Sequence, residues 1–248
     1  MAFDGSPVFR LGRINIMSSP RAKSSQLDRT AAHRAADLIE QLIADGSLSP
    51  GEHVSEPSLA GLLGLSRGPI REACRALVER GLLQSEPNRG CFVRRLSVRE
   101  VVDLYDVRAA LARLAGRVLA RRITPSQQTE LARIVDAQER AVAHGELEQV
   151  QSANLAFHAA IVAFSGNLRL QKIEAGMARE LAMYRRHALR DIDHLRSTCV
   201  EHRAILDALA ARDADAAGAA LEAHILAGRV RFLGSLGRDA GFDPEPAA

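Results

Sequence analysis

Residues 56–81 constrain the fold of this chain more than any other stretch. Two short apolar-periodic segments, Glu56 to Leu63 and Ser66 to about Arg80, are closed by Gly64 and Gly81 respectively. The second begins SRGP, and Pro69 is tolerable there only because the first helical turn does not need its missing N–H. Ser66 stands where its hydroxyl can cap that helix. Ile70, Ala73, Cys74 and Leu77 recur at helical spacing as a packed stripe, while Arg67, Arg71 and Arg75 follow at i, i+4 and i+8 on another face. Two short helices around a tight turn predict a helix-turn-helix.

The flanking sequence completes a small domain. Leu27, Ala31, Ala35, Leu38, Leu42 and Ile43 predict a preceding amphipathic helix stopped by Gly46. Leu82–Ser85 and Cys91–Arg94 are strand-like and flank the turn-rich Glu86-Pro87-Asn88-Arg89-Gly90, a hairpin wing. Beyond residue 96 no strand pattern appears. Ser97 with Glu100, and Thr124 with Pro125 and Gln127, spell capping boxes that open helices, and Gly145, Gly166 and Arg212-Asp213 punctuate later ones. The expected architecture is mainly α. A winged helix-turn-helix with a β-hairpin wing occupies 27–95, and an antiparallel all-α bundle of about six helices occupies 98–238. Residues 1–26 and 239–248, without periodicity, read as flexible tails.

Composition narrows the function classes. At 47% hydrophobic and 25% charged residues the 248-residue chain is neither disordered nor fibrous. No apolar run reaches the ~18 residues that span a bilayer, and the first residues lack a secretory apolar core, so a cytoplasmic protein with no membrane partner is expected. Cys74, Cys91 and Cys199 are far apart with no CxxC pair, which excludes a disulfide framework and a thiolate zinc site. The net charge of +3 is uneven: residues 1–95 hold 13 Lys+Arg against 10 Asp+Glu, and the remainder holds 20 of each. A basic N-terminal part points to nucleic acid. There an Arg near the start of a helix in the major groove can grip guanine O6 and N7, and backbone N–H groups can hold phosphate. An arginine stripe is also what an ordinary solvated helix face looks like.

The spaced set Pro50-Gly51, Glu56 to Leu59-Ala60, Ser66-Arg67-Gly68-Pro69-Ile70-Arg71-Glu72-Ala73, Leu77, Gly81-Leu82-Leu83 and Gly90 to Val93 resembles the DNA-binding domain of the GntR family. The resemblance implies that Ser66, Arg67, Gly68, Arg71 and Arg75 face double-stranded operator DNA, and that the wing tip Asn88, Arg89 and Gly90 enters the minor groove. Pro57 and Gly68 depart from the family pattern: relatives often carry a phosphate-reaching residue at the first position and Thr at the second, whereas neither residue here has a side-chain donor. Downstream, Leu104 to Arg108, Asn154 to His158, Ser165-Gly166-Asn167, Glu201-His202, Ile205-Leu206 and His224 resemble the all-helical effector domain of the FadR subgroup, the FCD type. In many members an Asp four residues before a His joins three His residues around a divalent metal. The matching positions are Asn154, His158, His202 and His224.

The spacing is consistent with that chemistry. Residues 154 and 158 project from one helix face, and His202 and His224 lie on two later helices, so three helices can converge on one ion. Neutral imidazoles suit zinc or nickel, and an incomplete shell leaves room for water or an anionic ligand. Each His taken alone reads more readily as a hydrogen-bonded core or surface residue than as a ligand. Arg108 matches an arginine that in relatives faces the cavity and would suit an effector carboxylate, with Asn154 beside it; a surface ion pair is the other reading. The resulting expectation is a homodimeric, metabolite-responsive transcription repressor with no catalytic residues, binding a palindromic operator and answering to an organic acid. A metal-dependent hydrolase with an accessory DNA-binding domain is the alternative, because three His and an open position also describe catalytic zinc. It lacks a general base in an HExxH-like arrangement.

Overall fold

Helix punctuation in the sequence becomes helix ends in space. The computed structural model describes residues 31–188 and 192–235; the predicted tails, and Leu27 at the start of the first predicted helix, lie outside them. Helix α1 (Ala31–Ala44) buries Ala35, Ala36, Ile39, Leu42 and Ile43. Helix α2 (Glu56–Leu63) starts at Ser55, whose hydroxyl accepts from the Ser58 N–H at 3.3 Å, and stops at Gly64 in the left-handed region at φ 62°. Helix α3 (Arg67–Glu79) buries the predicted stripe Ile70, Ala73, Cys74 and Leu77. Ser66 precedes it in extended conformation but makes no side-chain cap bond, contrary to expectation. Its exposure explains this, since water can satisfy both the hydroxyl and the first N–H groups.

The wing is an antiparallel pair, β2 (Leu83–Glu86) and β3 (Gly90–Val93), with Leu83 opposite Val93 and Glu86 opposite Gly90. Each strand lies one residue nearer the tip than predicted. Asn88 at φ 62° and Gly90 at φ 97° bend the chain sharply enough for Glu86 and Gly90 themselves to pair. A third strand, β1 (His53–Val54), was not foreseen; it pairs with β3, giving the order β1-β3-β2. Two residues are too few to display alternation.

Among the described residues six helices follow: α4 (Val98–Arg122), α5 (Pro125–His144), α6 (Leu147–Phe164), α7 (Leu168–Ala188), α8 (Ile192–Ala210) and α9 (Ala214–Ser235). The Ser97/Glu100 and Thr124/Gln127 capping boxes both form. Gly145 at φ 71° and Arg212 at φ 55° end α5 and α8. Helices α4 and α9 cross closely because Gly116 has no side chain: a Cβ there would fall 2.7 Å from the Ala217 carbonyl oxygen. One core gathers Leu119, Leu131, Val135, Phe157, Ile161, Ile205 and Leu221 inside the bundle. Another fills the N-terminal unit and extends to Val101, Leu181 and Phe232 of α4, α7 and α9, so that unit is packed onto the bundle. The thiols of Cys74, Cys91 and Cys199 are free. Burial pushes the Cys74 thiol up to about 12, so it behaves as a small apolar group. No described helix is long and apolar enough to cross a membrane.

Candidate DNA-facing surface and effector pocket

The residues expected to face DNA lie together on the surface. Ser66 before α3, Arg67, Gly68, Arg71 and Arg75 on it, and Asn88, Arg89 and Gly90 on the wing are all exposed. Arg71, Arg75 and Gly90 border one cleft of about 500 Å³, so helix and wing share a side of the molecule. Arg71 is steered by Glu56 of α2, accepting its Nε–H at 2.8 Å, yet its side chain stays 60% exposed. Arg89 pairs with Glu86 and lies 5.2 Å from the Phe92 ring centre. Pro57 occupies the first turn of α2, where its missing donor costs nothing locally.

Inside the bundle, α6, α8 and α9 bring His158, His202 and His224 together, with one nitrogen of each within 4.8 Å of the others. Their surroundings define the tautomers. Gln138 Oε1 accepts from His202 Nδ1 at 2.7 Å, which leaves the lone pair on Nε2; that atom is buried with no partner. Glu201 Oε2 accepts from His224 Nδ1 at 2.6 Å, and His224 Nε2 then lies 3.1 Å from His158 Nε2. Arg231 grips both oxygens of Glu201, at 2.6 and 2.8 Å. Burial alone would raise the Glu201 carboxyl, but the hydrogen bonds and charges of His224 and Arg231 hold it down at about 2. Burial, with the nearby charge of His224, holds His202 well below its ordinary value and so neutral. Neutral His202 with its orphaned buried nitrogen, His224 oriented by Glu201, and His158 beside them converge in a set that fits a divalent ion.

Asn154, one turn before His158, and Arg108 line the same pocket of about 520 Å³ as His158, His224, Glu174 and Arg231. The volume suits a small metabolite. Arg108 faces the pocket, and its ion pair is internal rather than on the surface. It is 6% exposed and donates from Nε and Nη2 to Glu174 Oε1, at 3.0 and 2.6 Å. A guanidinium so buried demands an internal counter-charge. The sequence reading also missed Gln138, Glu174 and Arg231, which no local motif marks. Glu201 does turn away from His202, as helix geometry required, but only to orient His224. Glu222 pairs with Arg113 at 2.6 Å. Neither carboxylate is free to act as the general base that the hydrolase alternative needs.

A winged helix-turn-helix joined to a pocket-bearing helical domain defines a DNA-binding transcriptional regulator with an effector domain. Residues 31–93 match the bacterial regulatory proteins of the gntR family, and residues 103–227 match the FCD domain. Over 207 residues the chain is 33% identical to a probable D-xylose utilization operon transcriptional repressor of Paenarthrobacter nicotinovorans, covering 83% of this chain and 91% of that one. Over 191 residues it is 30% identical to an uncharacterized HTH-type transcriptional regulator of Bacillus subtilis, covering 76% and 83%. The fold is shared with E. coli McbR/YncC at a TM-score of 0.72 and 21% identity, covering 83% of this chain and 98% of that chain. The chain belongs to the GntR family and carries an FCD effector domain. The family and these curated relatives are transcriptional regulators, not enzymes.

Proposed function

We propose that this chain is a cytoplasmic repressor that binds a palindromic operator as a homodimer and leaves it when an organic acid enters the helical pocket. Residues 27–95 form the DNA-binding unit, with Ser66, Arg67, Gly68, Arg71 and Arg75 in the major groove and Asn88, Arg89 and Gly90 in the minor groove. Residues 98–238 form the effector and dimerisation unit. The repressor assignment draws support from the name of the P. nicotinovorans relative. His158, His202 and His224 would hold zinc or nickel, with Asn154 beside them. Bound there, the ion supplies a fixed positive charge to which a carboxylate is drawn. The observation that carries the reading is the buried, unpartnered His202 Nε2 beside a pocket lined by His158 and His224. Calorimetric titration of zinc and nickel into stripped protein, with elemental analysis of untreated protein, tests it. One ion per chain, abolished by His202→Ala, is expected. No binding by the stripped wild type makes the three histidines structural.

A further inference from the structure

We propose that the Arg108–Glu174 pair is a latch opened by carboxylate exchange: an effector carboxylate takes Arg108 from Glu174, and the displaced Glu174 loosens α7 from the DNA-binding unit. This rests on the reading of the pocket as the effector site. Both Arg108 donors converge on the single oxygen Oε1, and Glu174 Oε2 is buried without a partner. The pair is therefore only half satisfied. A ligand carboxylate that presents two oxygens to the two-donor fork makes the bidentate pairing Glu174 does not. Arg231, the other pocket arginine, already has that arrangement with Glu201, so Arg108 is the guanidinium with the weaker internal competitor. Once released, the Glu174 carboxylate must move toward water, because a buried unpaired charge is not tolerated.

Glu174 sits on α7, and the same helix fastens the N-terminal unit. Arg179 Nε lies 3.4 Å from Glu40 Oε1 on α1, and the other oxygen of Glu40 accepts from Arg80, the C-cap residue of α3, at 3.5 Å. Glu180 Oε2 accepts from Arg94, just past the wing, at 3.3 Å. Leu181 is 1% exposed within the N-terminal core. Glu174 and Leu181 are two helical turns apart, about 10 Å along one rigid element. A change at Arg108 is thereby delivered to α1 and to the end of α3. The two arrangements of α7 are the bistable element that coupling requires.

The test is amide hydrogen exchange on the full-length protein, with operator binding measured alongside. Glu174→Gln, which weakens the pair without adding bulk, should raise exchange several-fold in α1 and in residues 94–100, leave α5 unchanged, and weaken operator binding. Glu174→Asp keeps the charge and should change the same segments less; it also serves if the Gln variant does not fold. Combining Glu174→Gln with Arg179→Gln should loosen α1 no further than either change alone, because both open one latch. Wild-type protection of α1 in both Glu174 variants, additive effects in the double variant, or equal loosening of α5 would each overturn the latch. In those cases intact metal and operator binding would leave the pocket and DNA-binding readings standing.

Discussion

The two functional regions are built on opposite principles. The proposed DNA-facing surface takes eight exposed residues from a single run, 66–90, at one helix and one hairpin. The pocket draws its lining from α4, α6, α7, α8 and α9, buries Arg108 and His224 there, and engages Arg108 and Arg231 in internal pairs. A surface that meets a large charged partner needs only local geometry, since the partner supplies the counter-charges. A pocket must neutralise its own charges before any ligand arrives. Arginine shows the contrast best, being solvent-facing in one region and 6% exposed in the other.

Removing one arginine from each region gives the sharpest test. Arg108→Met strands the Glu174 carboxylate, and losing one member of a buried pair typically costs about 3–5 kcal/mol. Urea unfolding should register most of that loss. A change below about 1 kcal/mol would show that the pocket rearranges as freely as a surface and would erase the comparison. On the DNA side, Arg67→Ala and Arg71→Ala should each weaken operator binding by about 1–3 kcal/mol if they read bases. Neither should shift the urea midpoint, because Arg71 gives up only a half-exposed bond to Glu56. Equal weakening on operator and unrelated DNA would reassign these arginines to phosphates.

The same contrast explains what the sequence made legible. Caps and stops are local, so Gly64, the Ser97 and Thr124 boxes and the Arg212-Asp213 break could be read directly. The two-residue β1 and the one-residue shift of the wing depend on pairing across the sheet, which no linear pattern encodes. Asn154, His158, His202, His224 and Arg108 were accessible because a family pattern marks them. Their partners were not: Gln138 lies 64 residues from His202, and Glu174 lies 66 from Arg108. Only the packing of helices brings such pairs together.

Asn154→Asp would sharpen the pocket side of the comparison. Asn154 offers an amide oxygen but no negative charge near the three imidazoles. An Asp should tighten zinc binding in stripped protein by about tenfold, or roughly 1.4 kcal/mol. It should also reduce any mutual strengthening between metal and an anionic ligand, since that coupling is reciprocal and the carboxylate replaces the ligand's charge. Calorimetry of both proteins decides. Unchanged affinity would place residue 154 outside the metal's reach.

The smallest effect concerns the joint between the regions, where Arg94 meets two carboxylates that titrate in opposite senses. Burial alone would raise Glu100, but the Ser97 N–H and hydroxyl, with Arg94, bring it below its ordinary value. Glu180 stays raised, because its burial and the charge of Glu100 outweigh Arg94 and Arg179. A lowered carboxyl contributes stability that is present above its unfolded value near 4.5 and lost as pH falls through the folded one. A raised carboxyl does the reverse: protonation in the folded state comes first, so acidification through its folded value adds stability. The two slopes have opposite signs and lie on opposite sides of the unfolded value, Glu180 acting above it and Glu100 below it. Removing either group should expose the other. Relative to wild type, Glu180→Gln should lose stability faster on acidification, and Glu100→Gln more slowly. Solvent screening at this half-exposed site limits each difference to about 1 kcal/mol or less. Chemical unfolding at pH steps between about 7 and 3 should show the two variants diverging in opposite directions from wild type, Glu180→Gln above the ordinary carboxylate value and Glu100→Gln below it. Parallel shifts of the same sign would mean that Arg94 does not couple the two carboxylates, and that the joint is held by Leu181 and Phe232 packing alone.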